Sequence, residues 1–183
     1  MQPSAVPDGF AAWSERGRAP GAGGEYHARL ATPFAVLGIR TLGERVDEIR
    51  YLPVGAATLA PVNRTAERMC REIERYLDDP ARRFTISFTY TGTPFQVGVW
   101  QAIHGIPRGR VLTYSAVAKQ LSTGPRAVGN ACGANRLPLV IPCHRVVAAG
   151  GVGGFMGVAK GAPIDIKRWL LRHEGVVPVM GDG

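Results

Sequence analysis

The sequence predicts a mixed α/β (α+β) fold, in which a small antiparallel-sheet subdomain with one helix precedes a mainly helical domain. Residues 25–59 alternate apolar and polar positions between Gly and Pro breaks, a pattern typical of two or three short antiparallel strands. From Thr93 onward the pattern changes to short helical segments separated by Gly and Pro. We therefore predict subdomains over residues 25–92 and 93–177. The Gly-, Pro-, Ala- and Arg-rich residues 1–24 predict a disordered leader, and residues 178–183 a tail.

One helix and one further strand complete the predicted N-terminal subdomain. Residues 62–77 carry apolar side chains at helical spacing, so Cys70 falls on the buried stripe and we assign it no chemistry. Two i,i+4 pairs, Glu67–Arg71 and Arg68–Glu72, are expected on the opposite face. Residues 83–90, RFTISFTY, alternate again and predict one more strand.

The C-terminal half predicts four helices and a helix-turn-helix. Thr93-Pro94 is a good start for the first helix, with a capping hydroxyl followed by proline. Residues 113–121 and 125–135 form the next two, joined by a tight turn that contains Gly124, as in a helix-turn-helix. Residues 163–175 form the last. The third helix is rich in Gly and Ala, which suits close approach to a ligand surface or, equally, close packing on a neighbouring helix.

The charge distribution favours a polyanionic partner. No acidic residue lies between Asp79 and Asp165, whereas nine Lys and Arg residues do, and the formal net charge is +8. A basic segment of this kind is typical of nucleic-acid binding, although it can also be a solvated surface. No apolar run reaches the length of a membrane span, and the N-terminus does not resemble a secretory signal.

Three cysteines without an export signal predict free thiols in a reducing cytoplasm. The chain has neither a C-x2-C nor an H-x3-H spacing, so we expect neither a metal site nor a cofactor. Residues 141–147, IPCHRVV, place a thiol, an imidazole and a guanidinium in an apolar run. Cys143 could be a small core residue or a nucleophile, which would need a nearby positive charge or base. Neighbours on a strand point to opposite faces, so a turn and a bridging water would suit Cys143 and His144 better.

A general base is oriented by a third group, and the acid-poor half offers few. Asp165, Glu174 and Asp182 are available, and Glu174, at the end of the last helix, is the best placed.

Several segments resemble the O6-alkylguanine-DNA alkyltransferases, also called methylated-DNA–protein-cysteine methyltransferases. TPFQVGVWQAI, IPRGRVLTYSAVA, PRAVGNA, NRLPLVIPC, IPCHRVV and KRWLLRHEG look like family blocks in family order. The resemblance is strong over residues 84–175 and loose over residues 25–83. It implies a monomer that binds duplex DNA, flips an O6-alkylguanine and transfers the alkyl group once to Cys143. O4-alkylthymine is a possible second substrate. It also implies a cytoplasmic, nucleoid-associated bacterial protein.

The resemblance assigns roles to particular side chains. His144 would deprotonate Cys143 through a water, Glu174 would orient His144, and Asn135 would brace the turn. Tyr114 and Lys167 match positions tied to substrate protonation. Arg126 would enter the duplex and fill the gap left by the flipped base. The remaining implied contacts are Tyr114, Ser115, Ala127 and Gly129 with DNA, and Val146, Phe155, Met156 and Gly157 around the base.

This chain departs from the family pattern at four places. The loop between the two helices, KQLSTGPRAVG, is shorter than the usual family version. Arg136 follows Asn135 where the family often has proline, and Phe155-Met156 replaces a Tyr-Ser or Tyr-Ala pair. Extra residues around VAKGAPID precede the last helix. These changes bear on pocket shape and substrate size. Two other functions remain open, a non-catalytic module that binds alkylated DNA and an unrelated cysteine hydrolase.

Overall fold

The computed structural model describes residues 25–176, so the predicted leader and tail, with Asp182, lie outside it. Three antiparallel strands form the N-terminal sheet in the order β1 (Ala28–Ala31), β2 (Val36–Leu42) and β3 (Arg45–Leu52). The strand pattern predicted over residues 25–59 is confirmed. A tight turn with Gly43 at φ 58° joins β2 to β3, a backbone conformation that glycine adopts without steric cost.

Helix α1 (Arg64–Asp78) packs across the sheet and begins two residues after the start of the predicted segment 62–77. The Asn63 side chain accepts a hydrogen bond of 2.8 Å from the backbone N–H of Ala66, which satisfies one of the unpaired donors of the first turn. Cys70 lies on the buried stripe as expected. Both predicted i,i+4 ion pairs form, but Glu72 is buried rather than on an exposed face.

The strand predicted over residues 83–90 is wrong. This segment is extended, and within the described residues it makes only a single bridge, between Val46 and Phe88. The Glu72 carboxylate accepts the backbone N–H groups of Thr85, at 2.7 Å, and Ile86, at 3.1 Å. Because these donors bond to a helix side chain, they are not available to a neighbouring strand.

The C-terminal half contains the predicted helices. Helix α2 (Pro94–His104) starts with a capping box in which Thr93 and Gln96 satisfy each other's backbone N–H groups. A short strand β4 (Leu112–Thr113) leads into α3 (Tyr114–Gln120), which is capped by Thr113. A turn then leads to α4 (Pro125–Gly133), which ends two residues earlier than predicted. Helices α3 and α4 pack on each other as a helix-turn-helix.

Close packing accounts for part of the small-residue content of α4. A Cβ added to Gly133 would lie 3.4 Å from the backbone nitrogen of Gly157. The Trp100 indole of α2 donates a hydrogen bond of 2.8 Å to the carbonyl of Ala131. Both contacts need a thin helix, so the interpretation as helix packing is supported for this face.

The run IPCHRVV forms a turn rather than a continuous buried strand. Residues Cys143–Arg145 form one 3-10 turn, and β5 (Val146–Val147) follows and pairs in parallel with β4. Helix α5 (Ala162–His173) closes the fold and stops before Gly175, whose φ of 75° favours glycine.

A continuous apolar core runs through both halves of the described chain. The predicted mixed fold, with its small antiparallel sheet and its helical part, is confirmed. No helix within residues 25–176 combines the length and apolarity that a membrane span requires. The boundary between residues 92 and 93 stays a prediction.

Candidate active site

Cys143 lies at the wall of a cavity of about 940 Å³ between the N-terminal sheet and helix α4. This volume is within the ~300–1,000 Å³ range usual for small-molecule sites. The residue is only 3% exposed, so a reactant must enter the cavity to reach the sulfur. The Asn135 amide donates 3.3 Å to Cys143 Sγ and 2.8 Å to the Ile141 carbonyl, which fixes the turn before the thiol.

Glu174 organises a buried network behind the turn. Its carboxylate accepts hydrogen bonds of 2.8 Å from His144 Nε2 and from the Tyr76 hydroxyl. The Arg145 guanidinium adds two further bonds of 2.8 Å, one to each oxygen. The expectation that Glu174 contacts His144 agrees with this geometry. Asp165, the other described candidate, instead pairs with Arg168.

The network defines the tautomer of His144. Burial alone would raise the pKa of Glu174, but hydrogen bonds and charge from His144 and Arg145 outweigh it and hold that pKa well below its usual range. An ionised carboxylate only accepts, so His144 Nε2 carries the hydrogen. Burial lowers the pKa of His144, which favours the neutral ring. Nδ1 is then the acceptor, and it has no hydrogen-bond partner among residues 25–176.

The thiol is held in its protonated form. Burial raises the pKa of Cys143, although the Asn135 amide, the Lys167 charge and two backbone N–H groups act in the opposite direction. A neutral thiol beside a neutral imidazole can react only if the proton leaves as the new bond forms. The arrangement therefore suits general-base activation more than a preformed thiolate.

Lys167 and Tyr114 form a second polar group of the site. Lys167, which is completely buried, donates to the carbonyls of Val146, at 2.6 Å, and Gly154, at 2.9 Å. It also lies 3.4 Å from the Tyr114 hydroxyl, which donates 2.8 Å to Gly154. Burial lowers the pKa of Lys167 to about 8, so this ammonium can exchange a proton near neutral pH.

The predicted pocket residues divide into two groups. Met156 and Gly157 line the cavity beside Cys143, whereas Val146 and Phe155 are buried and do not line it. Met156 has φ 53°, an uncommon value for a residue with a side chain. Two lining residues that the sequence analysis did not identify are Cys132 and Gly133, on the last turn of α4.

The predicted DNA contacts lie at the start of the helix-turn-helix helices. Ser115 and Arg126 are exposed, each at the second position of its helix, α3 and α4 respectively. Ala127 and Gly129 follow on α4 and are half-buried. Gly129 lies over the ring of Tyr114, so these two residues form one continuous surface.

No sequence pattern predicted that Tyr76 belongs to this network. It belongs to the buried stripe of α1, where an aromatic residue is ordinarily part of the core. Its hydroxyl nevertheless bonds to Glu174, which is 98 residues away in the chain.

Comparison with known proteins shows which family this site resembles. The family model described as the DNA-binding domain of 6-O-methylguanine DNA methyltransferase matches residues 94–176. These residues are therefore similar to that domain, and we call them the family segment. The matched segment contains Cys143, His144 and Glu174. The family resemblance that the sequence motifs indicated is thus confirmed.

Relatives extend the likeness beyond this segment. The methylated-DNA–protein-cysteine methyltransferase of Salmonella typhimurium is 47% identical over 93 residues, which are 50% of this chain and 52% of that protein. The chain thus spans about half the length of the curated relatives it matches. The crystal structure of Mycobacterium tuberculosis O6-methylguanine methyltransferase aligns with a TM-score of 0.68 at 28% identity, over 81% of this chain and 92% of that one. A structure of the M. tuberculosis protein in complex with DNA aligns with a TM-score of 0.64 at 27% identity, over 82% of this chain and 93% of that one.

Proposed function

We propose that this protein repairs duplex DNA by transferring the alkyl group of an O6-alkylguanine to Cys143. The observation that carries the proposal is the set Asn135, Cys143, His144 and Glu174, all within residues 94–176. Cys143 lies at the cavity and accepts a hydrogen bond from Asn135. His144 and Glu174 supply a base whose acceptor nitrogen is Nδ1. The proposed boundary at residue 92 leaves all four in the C-terminal part of the chain.

The displacement begins with loss of the thiol proton. A water between Cys143 and His144 accepts the proton from Sγ and passes one of its own to Nδ1, while Glu174 stabilises the imidazolium that forms. The sulfur electron pair forms the new S–C bond as the bond between carbon and O6 breaks in line. The alkyl carbon is transferred with no change of oxidation state.

The leaving group is a guanine anion, which must gain a proton. Tyr114 and Lys167 lie 3.4 Å apart. In the proposed complex the flipped base lies against these two side chains. We propose that Tyr114 donates its proton to the guanine and recovers one from Lys167, whose pKa of about 8 suits such a transfer. The reaction then ends with neutral guanine in DNA and a thioether on Cys143.

Access to the buried thiol requires base flipping. Because Cys143 is 3% exposed, the O6 of a stacked guanine is out of its reach, and the nucleotide has to leave the helix. Arg126 is exposed at the start of α4 and would fill the space left in the duplex. Ser115, Ala127 and Gly129 would lie along the same groove, where small side chains permit close contact with the backbone.

The product limits each chain to one turnover. A thioether carbon is not displaced by water under mild conditions, and no described residue is positioned to remove it. We propose a monomer that acts on chromosomal duplex DNA, hence in the nucleoid of a bacterium, without a cofactor. The same proposal includes O4-alkylthymine as a possible second substrate.

Intact mass spectrometry tests the proposal directly. The full chain is incubated with a duplex that carries one O6-methylguanine, with Cys143→Ser and Cys132→Ser as matched variants. We expect the wild type and Cys132→Ser to gain one methyl group in place of one hydrogen, located on the Cys143 peptide, and Cys143→Ser to gain none. Unchanged mass together with tight binding of the modified duplex would instead identify a damage-binding module without transfer.

A further inference from the structure

Tyr51 brings an unpaired hydroxyl from the N-terminal sheet to the cavity that holds Cys143. The residue lies on β3, is 1% exposed and lines this cavity. Its ring packs at centroid distances of 6.1 Å from Phe34 and 6.0 Å from Phe155. Its hydroxyl is buried without a hydrogen-bond partner among residues 25–176.

Tyr51 shares its cavity with groups of the active site. Cys143 and Asn135 line the same cavity. Burial raises the pKa of Tyr51 well above its usual value, so its hydroxyl keeps its proton and can donate a hydrogen bond. The structure thus places a buried donor at the cavity that also holds the thiol.

A buried hydroxyl without a partner is costly. Leaving such a group unpaired costs about 1–3 kcal/mol, which a phenylalanine of the same shape would avoid. His144 Nδ1 is a second buried polar atom without a protein partner, and it belongs to the residue next to Cys143. Two such atoms beside one thiol are best satisfied by a shared water, since buried waters typically make about three hydrogen bonds.

We infer that Tyr51 is a positioning residue for alkyl transfer, and that its hydroxyl and His144 Nδ1 together hold the water through which Cys143 loses its proton. The donors and acceptors balance. The water donates to Nδ1 and accepts from both the thiol and the phenol. The phenol keeps its own proton throughout. Its hydrogen bond orients the water, and its O–H dipole favours the negative charge that the sulfur develops nearby. This inference rests on the proposed function and adds to it a group from outside the family segment.

The test compares Tyr51→Phe with wild type in single-turnover transfer from a duplex containing O6-methylguanine. Tyr90→Phe is the matched control, because it removes a hydroxyl that bonds to His104, away from the cavity. We expect Tyr51→Phe to slow transfer about five- to tenfold, as for the loss of one hydrogen bond, with unchanged affinity for unmodified DNA. Tyr90→Phe should transfer at the wild-type rate.

The pH dependence separates a positioning role from a structural one. Loss of the O–H dipole near the developing thiolate should move the apparent pKa of the rate profile upward in Tyr51→Phe. Tyr51→3-fluorotyrosine keeps the ring and has a more acidic hydroxyl, so it should move the profile downward. The rate at which iodoacetamide labels the Cys143 peptide, measured without DNA, should show the same two shifts. Thermal unfolding establishes that each variant is folded under the assay conditions.

The possible outcomes are distinct. If wild type transfers the methyl group while both Tyr51 variants match it in rate and pH profile, the positioning role is refuted and the proposed function stands. If Tyr51→Phe fails to fold, the pH profile of the fluorotyrosine variant alone tests the positioning role, and an unchanged profile refutes it. If wild type transfers nothing, the proposed function fails first, and iodoacetamide labelling still reports whether Tyr51 tunes the thiol.

Discussion

Glu174→Gln tests the buried network most severely, because it removes one charge without changing the side-chain shape. The carboxylate accepts four hydrogen bonds, from His144, Tyr76 and two Arg145 nitrogens. A glutamine amide has one oxygen, and its nitrogen can only donate. At least one of the three donor side chains loses its partner, and the buried Arg145 cation loses its counter-ion.

The stability cost can be taken from the ion pair. The Arg145 side chain is 13% exposed and Glu174 fully buried, so the pair is not screened like a surface bridge. Breaking a buried pair by removing one member costs about 3–5 kcal/mol. Since a domain of this kind is stable by only about 5–15 kcal/mol, the variant should fold but unfold at clearly lower urea concentration.

Transfer should fall for a separate reason. The amide nitrogen of glutamine can donate to His144 Nε2, which stabilises the tautomer that carries its hydrogen on Nδ1. That nitrogen then cannot accept the proton of Cys143. General-base assistance is worth about 10²–10⁴-fold, so we expect a loss in this range.

The assay pairs urea unfolding with single-turnover transfer at a temperature where the variant is folded. Glu44→Gln makes the same chemical change at an exposed position and is the control. A variant within about 1 kcal/mol of wild type that also transfers at a rate near wild type would refute the role of Glu174.

The pH dependence of stability gives the same network a second test. Because the folded-state pKa of Glu174 is lowered, its contribution is fully present above the unfolded value, about 4.3, and is lost as the pH falls through the folded value. The stability difference between wild type and Glu174→Gln should therefore be constant near neutral pH and shrink in strong acid. A constant difference down to the acid limit would contradict the lowered pKa.

Two further predictions concern DNA and the alkyl group. Arg126→Ala should reduce transfer from duplex DNA more than it reduces binding to unmodified DNA, and Arg83→Ala is the exposed control. If a salt titration shows that Arg126→Ala reduces transfer and binding equally, Arg126 is only a phosphate contact. Met156→Ser should increase the rate for an O6-benzyl group relative to O6-methyl, about tenfold, because it frees space beside Cys143 in a cavity where one or two methylenes are worth ~1–3 kcal/mol. An unchanged ratio would mean that Met156 does not limit substrate size.

Sequence patterns correctly predicted the helices and strands whose ends are determined by neighbouring residues in the chain. The start of α2 at Thr93-Pro94 depends on residues within one turn, and the structure has it as expected. Segment 83–90 was predicted as a strand because its apolar and polar residues alternate as they do in a strand. Its backbone donors, however, bond to Glu72, and a glutamate in an i,i+4 pair gives no local sign that it will be buried.

The residues of the site divide in the same way, into those that the sequence predicted and those that only the fold brings together. Glu174 could be proposed because residues 80–164 contain no acid, so few carboxylates were available to His144. The pocket assignments of Val146 and Phe155 came from resemblance alone, and neither residue lines the cavity. Tyr51 and Tyr76 alternate or recur like ordinary core positions, and only the folded chain places their hydroxyls near the thiol and Glu174.

The N-terminal sheet and helix therefore do more than cover the family segment. Tyr76 bonds to Glu174 on the side of the base, while the backbone N–H of Ile49 donates 2.8 Å to the carbonyl of Arg136, next to Asn135. Asp47 pairs with the Arg136 side chain at 3.1 Å. Residues on β3 and α1 thus contact both groups that flank Cys143, the proposed base and the turn that Asn135 braces. Arg136, at a position where the family resemblance led us to expect proline, adds a charge pair between this turn and the sheet.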